Sequence, residues 1–197
     1  GFTAFTSGYF TSNDITLNTL PSNGMKDQLN VMDMTNVNDA FKKIKVQIEQ
    51  MKKEKCDFIV VMLHWGTEYQ KTPNKFQKDL AQKLIDEGVG LILGSHPHLV
   101  QSMEFMASSD GSHEGLVVYS MGNFLSNQRN EILNIEGTEN GLISITTLAR
   151  NEKGNVFIEK AEYIPTWINL FEENSKPTYE IVPIRADAAE TSLLYHA

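Results

Sequence analysis

Two continuous apolar runs, "DFIVVML" at 57–63 and "VGLILG" at 89–94, constrain this chain more than any other feature. A β-branched run with no alternating polar residues offers no face to solvent, so each predicts a strand covered on both sides. Between them Phe76, Leu80, Leu84 and Ile85 recur at helical spacing, and Gly88 stands where a helix C-cap belongs. Strand, helix and strand with short joins make a βαβ unit, whose two strands lie parallel as neighbours or near neighbours. The fold class is therefore α/β.

The rest of the pattern builds around that unit. Val37, Phe41, Ile44, Ile48 and Met51 predict an earlier helix, capped by Asn36 or Asn38. "GLVVYSMGNF" (115–124) reads as a third buried strand, and residues 2–10 as a strand before a loop rich in Asn, Ser, Thr, Pro and Gly. "GLISITTL" (141–148) and "VFIEKAEYIP" (156–165) flank "ARNEKGN" as a hairpin, with Gly154 in the turn. Residues 1–167 read as one unit. The weakly patterned stretch 168–197 reads as an extension packed on it.

A length of 197 residues suits one domain with or without an appendage, and 41% hydrophobic against 21% charged residues is an ordinary globular balance. The formal charge of −8 excludes nucleic acid as a non-specific partner, and any other polyanion needs metal ions or a local basic patch to bind. Cys56 is the sole cysteine, which excludes an intrachain disulfide and a cysteine-based zinc cage. No stretch is apolar for long enough to cross a membrane. The opening "GFTAFTSGYF" has no initiator Met and a strand rhythm from its first residue, so the chain reads as a fragment or processed product of a longer protein.

Three polar motifs follow three apolar strands: "VVMLHWGTEY" carries His64 and Glu68, "LILGSHPH" carries His96 and His98, and "VVYSMGNF" carries Asn123. Ligands of α/β folds bind at the carboxyl ends of parallel strands, where the loops converge. In extended backbone, side chains two apart point the same way, so His96 and His98 can face one point, with Pro97 stiffening the pair. Imidazole suits zinc, manganese or iron, and His64 can reach the same place from the adjacent strand end. Two such ions about 3.5–4 Å apart would clamp a phosphoryl group and acidify water. A pair of that kind also needs carboxylates, and only Glu68 and Asp57 are near strand ends, with Asp57 at the wrong end.

Plainer roles compete at each position. One histidine at a strand end is more often a satisfied polar residue than a ligand, and it is the combination of three that points to metal. Glu68 is open to three roles: orienting a histidine, acting as general base, or standing solvated on its loop. Asn123 after Gly122 fits a turn that tolerates positive φ. Trp65 reads as packing or a pocket wall. His113 lies in an apparent hairpin loop and His196 at the chain end, and neither is assigned a role.

Taken together, "HWGTEY", "GSHPHLVQ", "YSMGNFLSNQ" and "EYIPTW" resemble, in order and spacing, the bacterial capsule-synthesis CapA family, poly-γ-glutamate capsule proteins of the metallophosphatase-like superfamily. The resemblance runs to about Trp167. It implies a calcineurin-like α/β/β/α sandwich with two divalent ions (Mn, Zn or Fe) at the strand ends. His64, His96 and His98 stand at metal-ligand positions, and Asn123, with Glu68, lines the site where substrate or water is placed. The superfamily's first half, with its acidic and Asn-His motifs, has no counterpart here, so the chain corresponds to the C-terminal portion of the domain. The resemblance further implies a metal-dependent phosphoesterase-like hydrolase or, alternatively, a non-catalytic polymer-binding or assembly component. It implies an anionic polymer or small phosphorylated substrate and other capsule-synthesis membrane proteins as partners. The implied location is the cell surface, through an upstream membrane anchor.

Overall fold

The computed structural model describes residues 1–7 and 29–184, together with the backbone of three short strands at 9–11, 14–17 and 20–21. In chain order the elements begin with β1 (Phe2–Ser7), β2 (Tyr9–Thr11), β3 (Asp14–Leu17), β4 (Leu20–Pro21) and β5 (Val31–Met32). There follow α1 (Val37–Lys53), β6 (Val60–His64), α2 (Lys75–Asp86) and β7 (Leu91–Ser95). The remainder is β8 (Met103–Ala107), β9 (Glu114–Val118), the single-turn α3 (Asn130–Leu133), β10 (Asn140–Arg150), β11 (Val156–Glu173) and β12 (Lys176–Pro183).

The βαβ unit forms as its sequence demands: β6 and β7 are parallel neighbours, in register from Val60↔Leu91 to His64↔Ser95. They sit at the centre of a six-stranded sheet ordered β5-β1-β6-β7-β9-β8. Every pairing in it is parallel except the β8–β9 hairpin at one edge. Asn36 caps α1 by accepting from the N–H groups of Asn38 and Asp39, and Asn74 caps α2 in a reciprocal capping box with Gln77. Both helices press one face of the sheet, where Ile44, Ile48, Leu80, Leu84 and Ile85 close on Phe5, Val61, Leu63, Ile92 and Val117.

The opposite face packs on a second, antiparallel sheet, β10-β11-β12. Val60, Leu91, Leu116 and Val118 of the first sheet form a smaller core with Leu142, Ile158 and Ala161 of the second. Among the described residues both long helices lie on one side, so three layers of the expected four are present: α, β and β. The cover is also incomplete, since Phe2 and Met62 are 79% and 44% exposed. The continuous run at 57–63 is thus buried on both faces only where the second sheet reaches it.

Three further departures from the sequence reading have local causes. Met103–Ala107 was not read as a strand, because as a hairpin partner on the sheet edge it buries little and has no apolar run. The stretch 11–30, read as loop, contains β3, β4 and part of β2, which pair as a small antiparallel sheet. The tail has more order than its pattern suggests. β11 runs unbroken through Trp167 to Glu173 and turns at Asn174 and Ser175, whose φ values of 53° and 59° are the left-handed pair a two-residue hairpin requires. β12 then pairs back along it from Lys176, so residues up to Pro183 belong to the second sheet. Among the described residues, no helix is long and apolar enough to cross a membrane.

Candidate metal centre

The parallel register sets the site. β6 ends on His64, level with Ser95 at the end of β7. Beyond Ser95 the chain leaves extended geometry: φ is 101° at His96 and 59° at His98. The expectation of an extended His-x-His pair is corrected here. The ladder ends with Trp65 N–H donating to the Ser95 carbonyl (3.0 Å); beyond it Pro97 has no N–H to offer, and its carbonyl accepts from Tyr69 N–H in the loop after β6 (2.8 Å). The histidines converge all the same, on left-handed backbone of the kind that collects at functional sites. Ring centroids lie 4.5 Å apart for His64–His96 and 6.2 Å for His96–His98.

Each outer histidine has one nitrogen occupied. His98 Nδ1–H donates to Asn123 Oδ1 at 2.9 Å. The orientation of that amide is set by its other end, where Asn123 Nδ2 donates to the Thr138 carbonyl at 2.8 Å. An amide oxygen only accepts, so Nδ1 carries the ring proton and Nε2 keeps its lone pair. His64 Nδ1 is hydrogen-bonded to Ser7 Oγ at 3.1 Å, across the β1–β6 pairing. Tyr69 lies against the His98 ring with centroids 5.7 Å apart, and Glu68 Oε1 stands 4.0 Å from His98 Nε2. Gln128 Nε2 is 3.4 Å from the same nitrogen. A cleft of about 600 Å³, lined by Phe2, Ala4, Thr6, Met62 and Ser95, leads to His64.

The sequence reading named five of these residues, and the structure gathers all five at one place. Asn123 is buried and acts on His98, and it does not face open space. Asp57 lies at the opposite end of its strand, paired with Arg150 at 2.8 Å. His113 sits in the β8–β9 turn with Nε2 on the Val89 carbonyl, and His196 lies outside the described residues. Ser7, Tyr69 and Gln128 were missed. Ser7 could have been found by applying the strand-end rule to β1 as well.

The donors fit a borderline divalent ion in kind, with imidazole nitrogens free of protons and one carboxylate at the rim. They fit it less well in number. Among the described residues no three His, Cys, Asp or Glu side chains are grouped closely enough to enclose an ion. Burial holds the His64 imidazole down to a pKa of about 4, with the nearby His96 and His98 adding to the effect. Burial lowers His96 as well, against an opposing pull from Glu68. The unfolded imidazoles protonate near pH 6.5, so between there and pH 4 the unfolded chain binds more protons than the folded one. Stability is therefore whole above pH 6.5 and drains as pH falls toward 4. Melting temperatures measured across that window, in metal-free buffer, should show the decline, and H64Q should flatten it.

A mostly parallel sheet with imidazoles at and just beyond its strand ends, and amide and acid groups on the loops, is an α/β domain with its polar site at the strand ends, consistent with a metallophosphatase-like fold. Residues 1–128 match the sequence profile of the family described as bacterial capsule synthesis protein PGA_cap, and the chain belongs to that family. It is 40% identical over 77 residues to the capsule biosynthesis protein CapA of Bacillus anthracis, a stretch covering 39% of this chain and 17% of that protein. Over the same length it is 39% identical to the PGA biosynthesis protein CapA of Bacillus subtilis (strain 168), of which 18% is covered. The matched stretch is thus a small part of either relative.

Proposed function

We propose that this chain carries the histidine side of a metal-dependent hydrolase site that acts in capsule polymer synthesis at the bacterial cell surface. The observation that carries the reading is the His98 ring, whose Nδ1 proton is fixed on Asn123, so that Nε2 keeps its lone pair 4.0 Å from Glu68, with His96 alongside and His64 next to His96. His64, His96 and His98 would hold manganese, zinc or iron, and a divalent ion there would supply Lewis acidity toward a phosphoryl oxygen. Glu68, at the rim, would take a proton from water. Asn123 holds the His98 imidazole in the tautomer that ligation through Nε2 requires, and Ser7 helps orient the His64 ring. The substrate class is a phosphoester or the anionic polymer of the pathway, poly-γ-glutamate by the family resemblance, with other capsule-synthesis membrane proteins as partners.

A second reading is favoured by the scarcity of carboxylates: among the described residues Glu68 alone stands near the histidines. On that reading the chain is a non-catalytic polymer-binding or assembly component. Metal analysis of the purified chain by mass spectrometry, paired with hydrolysis of bis-p-nitrophenyl phosphate, separates the two. The hydrolase reading expects near-stoichiometric metal and turnover lost on chelation. Full metal without turnover, at any added ion, would move the assignment to the binding component.

A further inference from the structure

A second cleft, of about 620 Å³, lies among the loops after β6 and β7, the turn of α3 and the start of β10. It shares no lining residue with the cleft that leads to His64. Leu99, Val100 and Trp167 give it an apolar wall, and most of the remaining lining is charged or amide. The charges are mixed: Lys71 and Arg129 stand with Glu131, Glu136 and Glu139.

Two of the three acids are already engaged. Glu131 Oε2 lies 3.2 Å from Arg129 Nε, and Glu139 accepts from the Asn130 N–H. Arg129 is buried, and its Nη1 donates to the Ile168 carbonyl at 2.9 Å. A guanidinium has five N–H groups, and among the described residues none accepts from Arg129 Nη2. Lys71 and Glu136 stand 3.9 Å apart with side chains 70% and 84% exposed, so neither is committed to the other.

The cleft thus offers an unused guanidinium edge and an ammonium on one side of the ledger of charge, and one uncommitted carboxylate on the other. A plain anion would meet the acids in a chain of charge −8, and a plain cation would meet Arg129. A ligand with a carboxylate and an ammonium on one carbon complements both. The rest of such a ligand would lie on Leu99, Val100 and Trp167, and an indole favours an aromatic partner. The volume is that of an ordinary small-molecule site.

We infer that this cleft binds a free α-amino acid with an aromatic side chain, its carboxylate on Arg129 and Lys71 and its ammonium on Glu136. The inference goes beyond the hydrolase reading and does not depend on it, since none of the histidine-site residues takes part.

The test is titration of the full chain with L-phenylalanine, followed by calorimetry and by the indole N–H signals of the two tryptophans in NMR spectra. Phenylalanine should bind saturably and move the Trp167 signal. Trp65, fully buried with its indole on the Tyr119 carbonyl, should not respond. Phenethylamine, which lacks the carboxylate, and 3-phenylpropionate, which lacks the ammonium, should each bind at least about tenfold more weakly. Glu136→Gln should weaken phenylalanine about two- to fivefold and leave 3-phenylpropionate unchanged, and Lys71→Gln should weaken it similarly and leave phenethylamine unchanged. Both side chains are exposed, so both variants should melt with the wild type. Equal affinity for the three probes would mean apolar capture alone and overturns the inference. So does the absence of saturable phenylalanine binding at millimolar concentration, or an unchanged phenylalanine affinity in either variant.

Discussion

Gly94→Ala should lower the melting temperature by roughly 10 °C, or leave no folded chain to measure. A Cβ at Gly94 would lie 2.0 Å from the Tyr119 carbonyl oxygen and 2.5 Å from Trp65 Nε1. Neither can yield. The carbonyl is backbone, and it accepts from that same Trp65 indole at 2.9 Å, with Trp65 fully buried. Overpacking of a rigid core costs about 1–3 kcal/mol and sometimes more, and a chain of this size loses about 2–4 °C per kcal/mol. Gly154→Ala makes the contrast. It has φ +85° but nothing within 4 Å of the added carbon, so only the local backbone cost, about 1–2 kcal/mol, should appear. Thermal melts of the two variants side by side check the argument. Equal small losses would mean that β7 and the strand end beyond β9 stand further apart than described.

His98→Ala should reduce divalent-metal affinity at least a hundredfold while leaving the chain folded. The two effects have different sources. His98 is the residue on which Asn123, Tyr69, Glu68 and Gln128 all converge, so its loss empties the centre of the cluster. Folding suffers less, because the ring is partly exposed and contributes little to either core. The remaining cost is Asn123 Oδ1, left buried without its donor, at about 1–3 kcal/mol if water does not replace the imidazole. Calorimetric metal titration and a thermal melt on the same preparation report the two separately. Unchanged metal affinity in a folded H98A chain would remove His98 from the site.

Much of the fold could be read from β6 and β7 because continuous β-branched runs admit few other structures, and the helices between and before them carry clear apolar stripes and caps. Edge elements were harder to read. β8 and β12 bury little, so their residues carry no strong pattern, and what fixes them is pairing with a partner already in place. The site shows the same division. His64, His96, His98, Glu68 and Asn123 could be named from their positions after strands, since topology alone brings strand ends together. Their geometry could not. An alternation rule holds only while a strand continues, and β7 stops at Ser95, beyond which Pro97 has no N–H for a ladder and the backbone turns through positive φ at His96 and His98. Gln128 carries no motif, and its relevance appears only once the strap from Ser126 to Asn130 is folded against His98.

The pairing of β1 with β6 also separates local from long-range closure in this fold. β6, α2 and β7 are adjacent in the chain, and β10, β11 and β12 form a meander of neighbours, so both units close over short distances. β1 must instead find β6 across nearly sixty residues of intervening chain, with Phe2 opposite Val60 and Thr6 opposite His64. Distant closures are entropically costly and form slowly relative to local ones. The docking of β1 brings Ser7 to His64. The orientation of that imidazole thus depends on a long-range closure, whereas the rest of the βαβ unit that carries His64 is held by local ones.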